Sequence, residues 1–474
     1  MPAMSRRFRR GLGAPLFSLC ALGFWLCNPG VFGQSAPSSY GLPGGAAPFD
    51  DPFIAAGFRA LFTCSAHFAM DRPLADIERV ELADTAALGL PNPEIDAERR
   101  LVRAADANGR VRVAVFRDSM GCTLLPPELG EADAAQLPYL ARARGSNPAA
   151  VAFPRGDRVA LTATAAQSAV LARAFDGASY GEGSLTVATL VVQGGSLVAE
   201  RYRDGFGVDK GYRTWSTAKS ITATLVGLAV KDGLLDLHAP VPVRAWQQPA
   251  DRRQTIRLKH LLWMSSGLWS RGSNTSAMYF GGQDVISSAT TTPLEADPGT
   301  RWKYANNDTL LALVALKTAL ADEQAYLRFP YERLFEPLGM HHTWMEIDHQ
   351  GNFIGSSQVY TTARDLARFG LLYLNDGNWF GEQLLPEDWT AFVSTPAPTR
   401  PVTAGQQGYG AQFWLFDPAD DLPSNAYFTA GNKGQFVVIV PEHDLVIVRT
   451  GVDPLGKRFA LPAFVRDVIS AFST

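Results

Sequence analysis

Thr214–Val230 reads TWSTAKSITATLVGLAV, and its only charged side chain is Lys219. From Ser220 to Val230 there is neither a charge nor a polar face, so the segment predicts a helix that is apolar all round and therefore buried. Gly233, after Lys231 and Asp232, is a natural stop. The ordinary reading of Ser216 is a helix N-cap, which favours Glu or Gln three residues on; here that position is Lys219. A lysine in the first turn opposes the positive end of the helix dipole, and burial penalises its charge again. Both effects lower its pKa. Such an arrangement makes chemical sense if the neutral amine is used. Residues three apart on a helix are neighbours, so Lys219 can take the hydroxyl proton of Ser216 as the serine attacks a carbonyl. The backbone N–H of Ser216, at the helix start, is free to serve an oxyanion.

Outward from this helix, β-rich and helical runs are arranged in a definite order. LTVATLVVQGGSLVAERYRDG (185–205) holds two β-rich runs joined by Gly194-Gly195, a hairpin signal. QFVVIVPEHDLVIVRTG (435–451) is a second hairpin turning at Pro441–His443, followed by a terminal helix in LPAFVRDVISAF (461–472). Helical patterns dominate between them, in TLLALVALKTAL and TTARDLARFGLLYLNDG. ATAAQSAVLARAFDG (163–177) predicts a helix ending at Gly177. The order implies an α/β sandwich whose two hairpins meet in one antiparallel sheet flanked by helices, with a mainly helical part over about 216–400. Within that part Asp365 and Arg368, three apart, are expected to form a solvated pair.

Residues 1–33 differ in kind. An arginine-rich start, an apolar run over 16–27 and the small-residue exit VFG before Gln34 predict a cleaved export signal. The run is shorter than the roughly 20 residues a spanning helix needs, so no membrane span is expected in the mature chain. Residues 34–48, rich in Pro, Gly and Ser, form a flexible lead-in; 49–165 read as an N-terminal extension and 166–474 as the main domain. Export implies a periplasmic or secreted location. Of four cysteines, Cys20 and Cys27 leave with the signal. Cys64 and Cys122 remain as an even pair in an oxidising compartment, either bridged or as two buried thiols.

At 474 residues, with 46% hydrophobic residues and a net charge of −3, the chain has ordinary globular composition and no basic tract for nucleic acid. The seven histidines are scattered, with His341 and His342 adjacent rather than spaced as HExxH, so neither metal nor cofactor is expected. None of the seven histidines sits in a G-x-S-x-G context, so a Ser-His-Asp hydrolase is not expected.

Five segments in the same order carry a resemblance: WSTAKSITATLVGLAVKDGLLDL, IRLKHLLWMSSGL, PGTRWKYANNDTLLAL, GSSQVYTTARDLARFGLLYLNDG and AGNKGQFVVIVPEHDLVIVRTG. Together, from about Ala166 onward, the chain resembles the penicillin-recognising serine hydrolases. The likeness is to the branch of class C β-lactamases, related esterases and nylon-oligomer (aminohexanoate-dimer) hydrolases. The resemblance implies Ser216 as nucleophile, Lys219 as its base and Tyr304-Ala305-Asn306 as the Y-x-N motif. A phenol beside a lysine ammonium is expected to be pushed towards phenolate and to shuttle protons, while Asn306 holds Lys219 and a substrate carbonyl. The third motif, K-T-G or H-x-G on a strand lining the site, falls at Asn432-Lys433-Gly434.

There asparagine replaces the usual cation and the lysine moves one place, to the opposite face of a strand. Gly434 allows close backbone approach, and the Gln435 N–H is the expected second oxyanion donor. The departure argues against a carboxylate-bearing β-lactam or D-Ala-D-Ala peptide, and for a small-molecule or peptide-like amide or ester as substrate. The alternatives are a β-lactamase or D,D-carboxypeptidase, or a penicillin-binding sensor that acylates without turnover. Trp263, Trp269 and Tyr279 are residues for an acyl pocket or for core packing.

Overall fold

The computed structural model describes residues 51–142, 145–270 and 272–473. The expected signal and lead-in lie outside these residues. No helix among them is long and apolar enough to cross a membrane.

Helix α1 (Pro52–Cys64) starts where the Asp51 carboxylate accepts the Phe53 N–H, with proline in the first turn. It packs on a four-stranded antiparallel sheet of β1 (Glu94–Asp96), β2 (Leu101–Ala105), β3 (Val111–Arg117) and β4 (Gly121–Leu124), ordered as in sequence. Cys64, the last residue of α1, is disulfide-bonded to Cys122 in β4, with their Cα atoms 6.1 Å apart.

Helix α2 (Ala165–Arg173) opens with a reciprocal Thr164/Gln167 capping box. It ends four residues before Gly177 because Asp176 binds the Ala178 and Ser179 N–H groups and turns the chain there. The two hairpins are β5 (Thr186–Gln193) with β6 (Ser196–Tyr202), and β10 (Gln435–Val440) with β11 (Leu445–Gly451). In chain order between them come α3 (Thr217–Lys231), α4 (Asn306–Leu320), α5 (Ala363–Leu374), β7 (Gly408–Tyr409), β8 (Trp414–Leu415) and β9 (Tyr427–Gly431). The chain closes with α6 (Leu461–Phe472).

The hairpins meet as their apolar runs require. β11 pairs antiparallel with β5, Ile447 opposite Val191 and Val448 opposite Leu190, in a seven-stranded sheet ordered β7-β8-β9-β10-β11-β5-β6. The central strands are buried on both faces. Val437, Ile439, Val446 and Val448 join the core of α3, α4 and α5, while Phe436, Val438, Val440 and Ile447 pack with Val170, Phe464 and Val468 of α2 and α6. Alternation along a strand produces this division. A small antiparallel sheet of Tyr212–Arg213, Val359–Thr361 and Trp344–Met345 was not legible in the sequence, since strands this short carry no periodic signal.

Asp365 and Arg368 are not a solvated pair. Both are buried, 3.0 Å apart, and the guanidinium also binds Asp157, the Gly156 carbonyl and the Pro154 carbonyl. The loop arriving from the N-terminal side covers a helix face that, read alone, looked exposed.

Candidate active site

The α3 helix is buried from Thr217 to Ala229, and Ser216 stands at its mouth, half-buried, without the side-chain capping bond expected of an ordinary N-cap. Its Oγ instead lies 3.1 Å from Lys219 Nζ. The preceding Trp215 has φ +49°, a left-handed conformation uncommon for a bulky residue. Lys219 is 1% exposed. Besides Ser216, its nitrogen contacts Asn306 Oδ1 at 2.6 Å and the Ser356 carbonyl at 2.8 Å. Burial alone lowers its pKa to about 7. A neutral amine has two N–H donors and one lone pair. Asn306 Oδ1 and Ser356 O can only accept, so they take the two donors and leave the lone pair to the Ser216 hydroxyl proton.

Asn306 is the first residue of α4, and Tyr304 immediately precedes the Ala305 N-cap. Tyr304 stacks on Trp414 (5.7 Å between centroids) and meets Tyr409 edge-on (6.1 Å). The expected phenolate is not found. Burial raises the Tyr304 pKa above the ordinary phenol value, and the Ser216 hydroxyl draws it only part of the way back. Lys219 lies over the ring face, 4.9 Å from its centroid, and its own charge is disfavoured, so it supplies no strong field to ionise the phenol. Tyr304 is therefore a neutral O–H donor.

The third motif is displaced from its expected place. Asn432, Lys433 and Gly434 are not on a strand but form the turn between β9 and β10, with Lys433 at φ +58° and Gly434 at φ +83°. Lys433 is paired with Asp84 of the N-terminal extension at 2.8 Å, both groups largely buried. The space beside Gly434 is filled by Arg449, which donates to the Gly434 carbonyl at 2.8 Å, so no substrate reaches that glycine from this side.

The residue pressed against the nucleophile segment is Gly431: a Cβ there would collide with the Thr214 carbonyl oxygen. Thr429, on the same strand, shares a hydrogen bond with Thr217 at 3.1 Å. Strand β8 pairs only with Tyr427 and Phe428, so among the described residues the edge of β9 from Thr429 onward has no strand partner opposite β10. Gln435, expected as an oxyanion donor, is the ladder partner of Gly431 and lies across β9 from that open edge. The Gly431 carbonyl faces the turn, accepting from Gly434 N–H, so strand alternation directs the Asn432 N–H to the open edge instead.

Ser356 was missed because it contributes a backbone carbonyl, which residue type does not announce. Its own hydroxyl is held by Tyr279 at 2.7 Å. Tyr279 is thus a buried, hydrogen-bonded core residue, and Trp263 packs against Phe392 at 5.6 Å.

An antiparallel sheet flanked by helices, with a serine–lysine pair at the mouth of a buried helix, defines a protein of the β-lactamase/transpeptidase-like class. The chain belongs to the β-lactamase family, whose model matches residues 171–450. It is 26% identical over 306 residues to a 6-aminohexanoate-dimer hydrolase of Paenarthrobacter ureafaciens, covering 56% of this chain and 73% of that protein. Two solved structures share the fold. One from Bacillus anthracis, provisionally named a 6-aminohexanoate-dimer hydrolase, has TM-score 0.54 and 20% identity over 70% of this chain and 90% of its own. The other, from Bacteroides dorei and provisionally named a β-lactamase, has TM-score 0.52 and 20% identity over 65% and 97%.

Proposed function

We propose that the protein is an exported serine hydrolase that cleaves an amide or ester through an acyl-enzyme on Ser216. The observation that carries this reading is the Lys219 amine, its pKa brought to about 7, directed at Ser216 Oγ from 3.1 Å. Lys219 removes the Ser216 proton as Oγ attacks the carbonyl carbon. The Ser216 and Asn432 N–H groups receive the oxyanion. Tyr304 passes its proton to the departing nitrogen or oxygen and is reprotonated by the Lys219 ammonium, and Asn306 keeps Lys219 aimed. Water, deprotonated by the restored neutral Lys219, attacks the acyl carbon, and the ammonium returns that proton to Ser216 Oγ as the acid leaves.

The relative named a 6-aminohexanoate-dimer hydrolase makes a linear amide the first substrate to try. The pairing of Lys433 with Asp84 supports the same choice, because that cation is already neutralised and offers little to a substrate carboxylate. Export rests on residues 1–33 and accords with the Cys64–Cys122 disulfide. The purified chain should be given a p-nitrophenyl ester, a 6-aminohexanoate dimer and a chromogenic cephalosporin. Turnover of the ester or linear amide is expected. Rapid turnover of the cephalosporin alone would establish a β-lactamase, and a persistent mass adduct on Ser216 without release would establish a sensor.

A further inference from the structure

Arg213, three residues before Ser216, is buried against two aromatic rings that come from different parts of the chain. Its guanidinium carbon lies 4.3 Å from the ring centroid of Trp215 and 4.3 Å from that of Phe62 in α1. The two rings stand 5.5 Å apart, and Phe280 adds an apolar side 6.0 Å from Phe62. A broad planar cation can lie against both rings at once in a way that a lysine ammonium does not.

The cluster reaches the two segments that carry and orient the Ser216–Lys219 pair. Trp215 is the left-handed residue whose backbone sets the direction of the next residue, Ser216, and a bulky side chain persists in that conformation only where its surroundings hold it. The same guanidinium donates to Ser357 Oγ at 2.8 Å and to the Ser357 carbonyl at 3.3 Å. Ser357 follows Ser356, whose carbonyl takes a Lys219 hydrogen bond. One side chain thus fixes the segment that presents Ser216 and the segment that orients Lys219.

Phe62 is held in turn. Two residues later Cys64 is bridged to Cys122, and the Glu346 carboxylate accepts from both Ser65 Oγ (2.6 Å) and the Cys122 N–H (2.9 Å). The disulfide junction is thereby attached to the segment just after Trp344–Met345 in the main domain. On the far side of the site, Asp84 holds the turn after β9 through Lys433.

We infer that Arg213 and Phe62 are positioning residues for Ser216 and Lys219, so that the N-terminal extension supplies half of the support for the nucleophile. The inference rests on the proposed role of Ser216. The test compares the rate of Ser216 labelling by a fluorophosphonate, and kcat and KM for a p-nitrophenyl ester, in wild type, Phe62→Leu, Arg213→Lys and Ile77→Ala. Phe62→Leu keeps apolar bulk without a ring face, and Ile77→Ala removes buried apolar bulk from the extension at a residue outside the Arg213, Phe62, Trp215 and Phe280 cluster.

Phe62→Leu and Arg213→Lys are expected to slow labelling and lower kcat at least about tenfold, about 1.4 kcal/mol of barrier, with KM little changed. Ile77→Ala is expected to lower Tm and label at the wild-type rate. Wild-type labelling in Phe62→Leu, or equal slowing in Ile77→Ala, overturns the inference. An unlabelled wild type removes the proposed function and the inference with it, whereas a labelled wild type with unimpaired variants removes the inference alone.

Discussion

Lys219 Nζ stands 3.1 Å from Ser216 Oγ, while its two other partners, Asn306 Oδ1 and the Ser356 carbonyl, can only accept hydrogen bonds. This makes the protonation state of one nitrogen the variable that decides whether the serine is activated.

The first consequence is a pH dependence. Lys219 must be neutral to accept the Ser216 proton, and burial places its pKa at about 7. With a neutral ester, kcat/KM should climb about tenfold per pH unit below 6 and level off above 8. Tyr304, its pKa raised, adds no falling limb below pH 10. A Lys219→Arg variant should lose on the order of 10^3 in kcat at every pH, since a guanidinium does not deprotonate.

The same burial costs stability, with a definite sign. An unfolded lysine keeps its ordinary pKa of 10.5, whereas the folded group titrates near 7. Between these values the unfolded chain binds more protons, so this group makes stability rise as pH increases. The penalty is complete below pH 7 and gone above 10.5. Replacing Lys219 with Met should therefore raise Tm by several degrees at pH 6 and by much less at pH 10, measured by calorimetry. A gain independent of pH would contradict the burial argument.

Tyr304→Phe keeps the ring that stacks on Trp414 and removes only the O–H. Tm should change little and kcat should fall on the order of 10^2 or more in steady-state assays, the size expected for losing a proton donor.

Asp365→Asn leaves the buried Arg368 guanidinium with one carboxylate fewer. Breaking a buried pair on one side costs about 3–5 kcal/mol, to be read from urea or guanidinium denaturation midpoints. A change below about 0.5 kcal/mol would mean the pair is open to solvent after all.

The parts of the molecule legible in sequence were those whose signal is local. The two hairpins and α3 declare themselves by apolar runs with no charge, and such runs must be covered on every side. Their edge-to-edge meeting at β11 and β5 pairs backbone groups that each hairpin alone would leave unpaired at its edge, while helices cover the faces. Ser216, Lys219 and Asn306 could be placed together because a helical spacing of three and a short motif carry the geometry.

What was not legible depends on partners distant in the chain. The ionisation of Tyr304 turned on how fully the site is buried, not on the lysine nearby. AGNKGQ contains two glycines, and the motif's fit to Asn432-Lys433-Gly434 implies a strand there; only the pairing of Gly431 with Gln435 shows that the turn starts after the first. Asp84 and Phe62 belong to a segment that carries no motif, so neither the fate of Lys433 nor the stack on Arg213 had any sequence signal.

The most direct test of the central claim is mass mapping of fluorophosphonate labelling in wild type, Ser216→Ala and Lys219→Ala across pH 5 to 9. One adduct should form on Ser216, at a rate that rises with a midpoint near pH 7, with none in Ser216→Ala and a rate reduced on the order of 10^3 in Lys219→Ala. An adduct on another residue, or wild-type labelling of Ser216 in Lys219→Ala, would contradict the account.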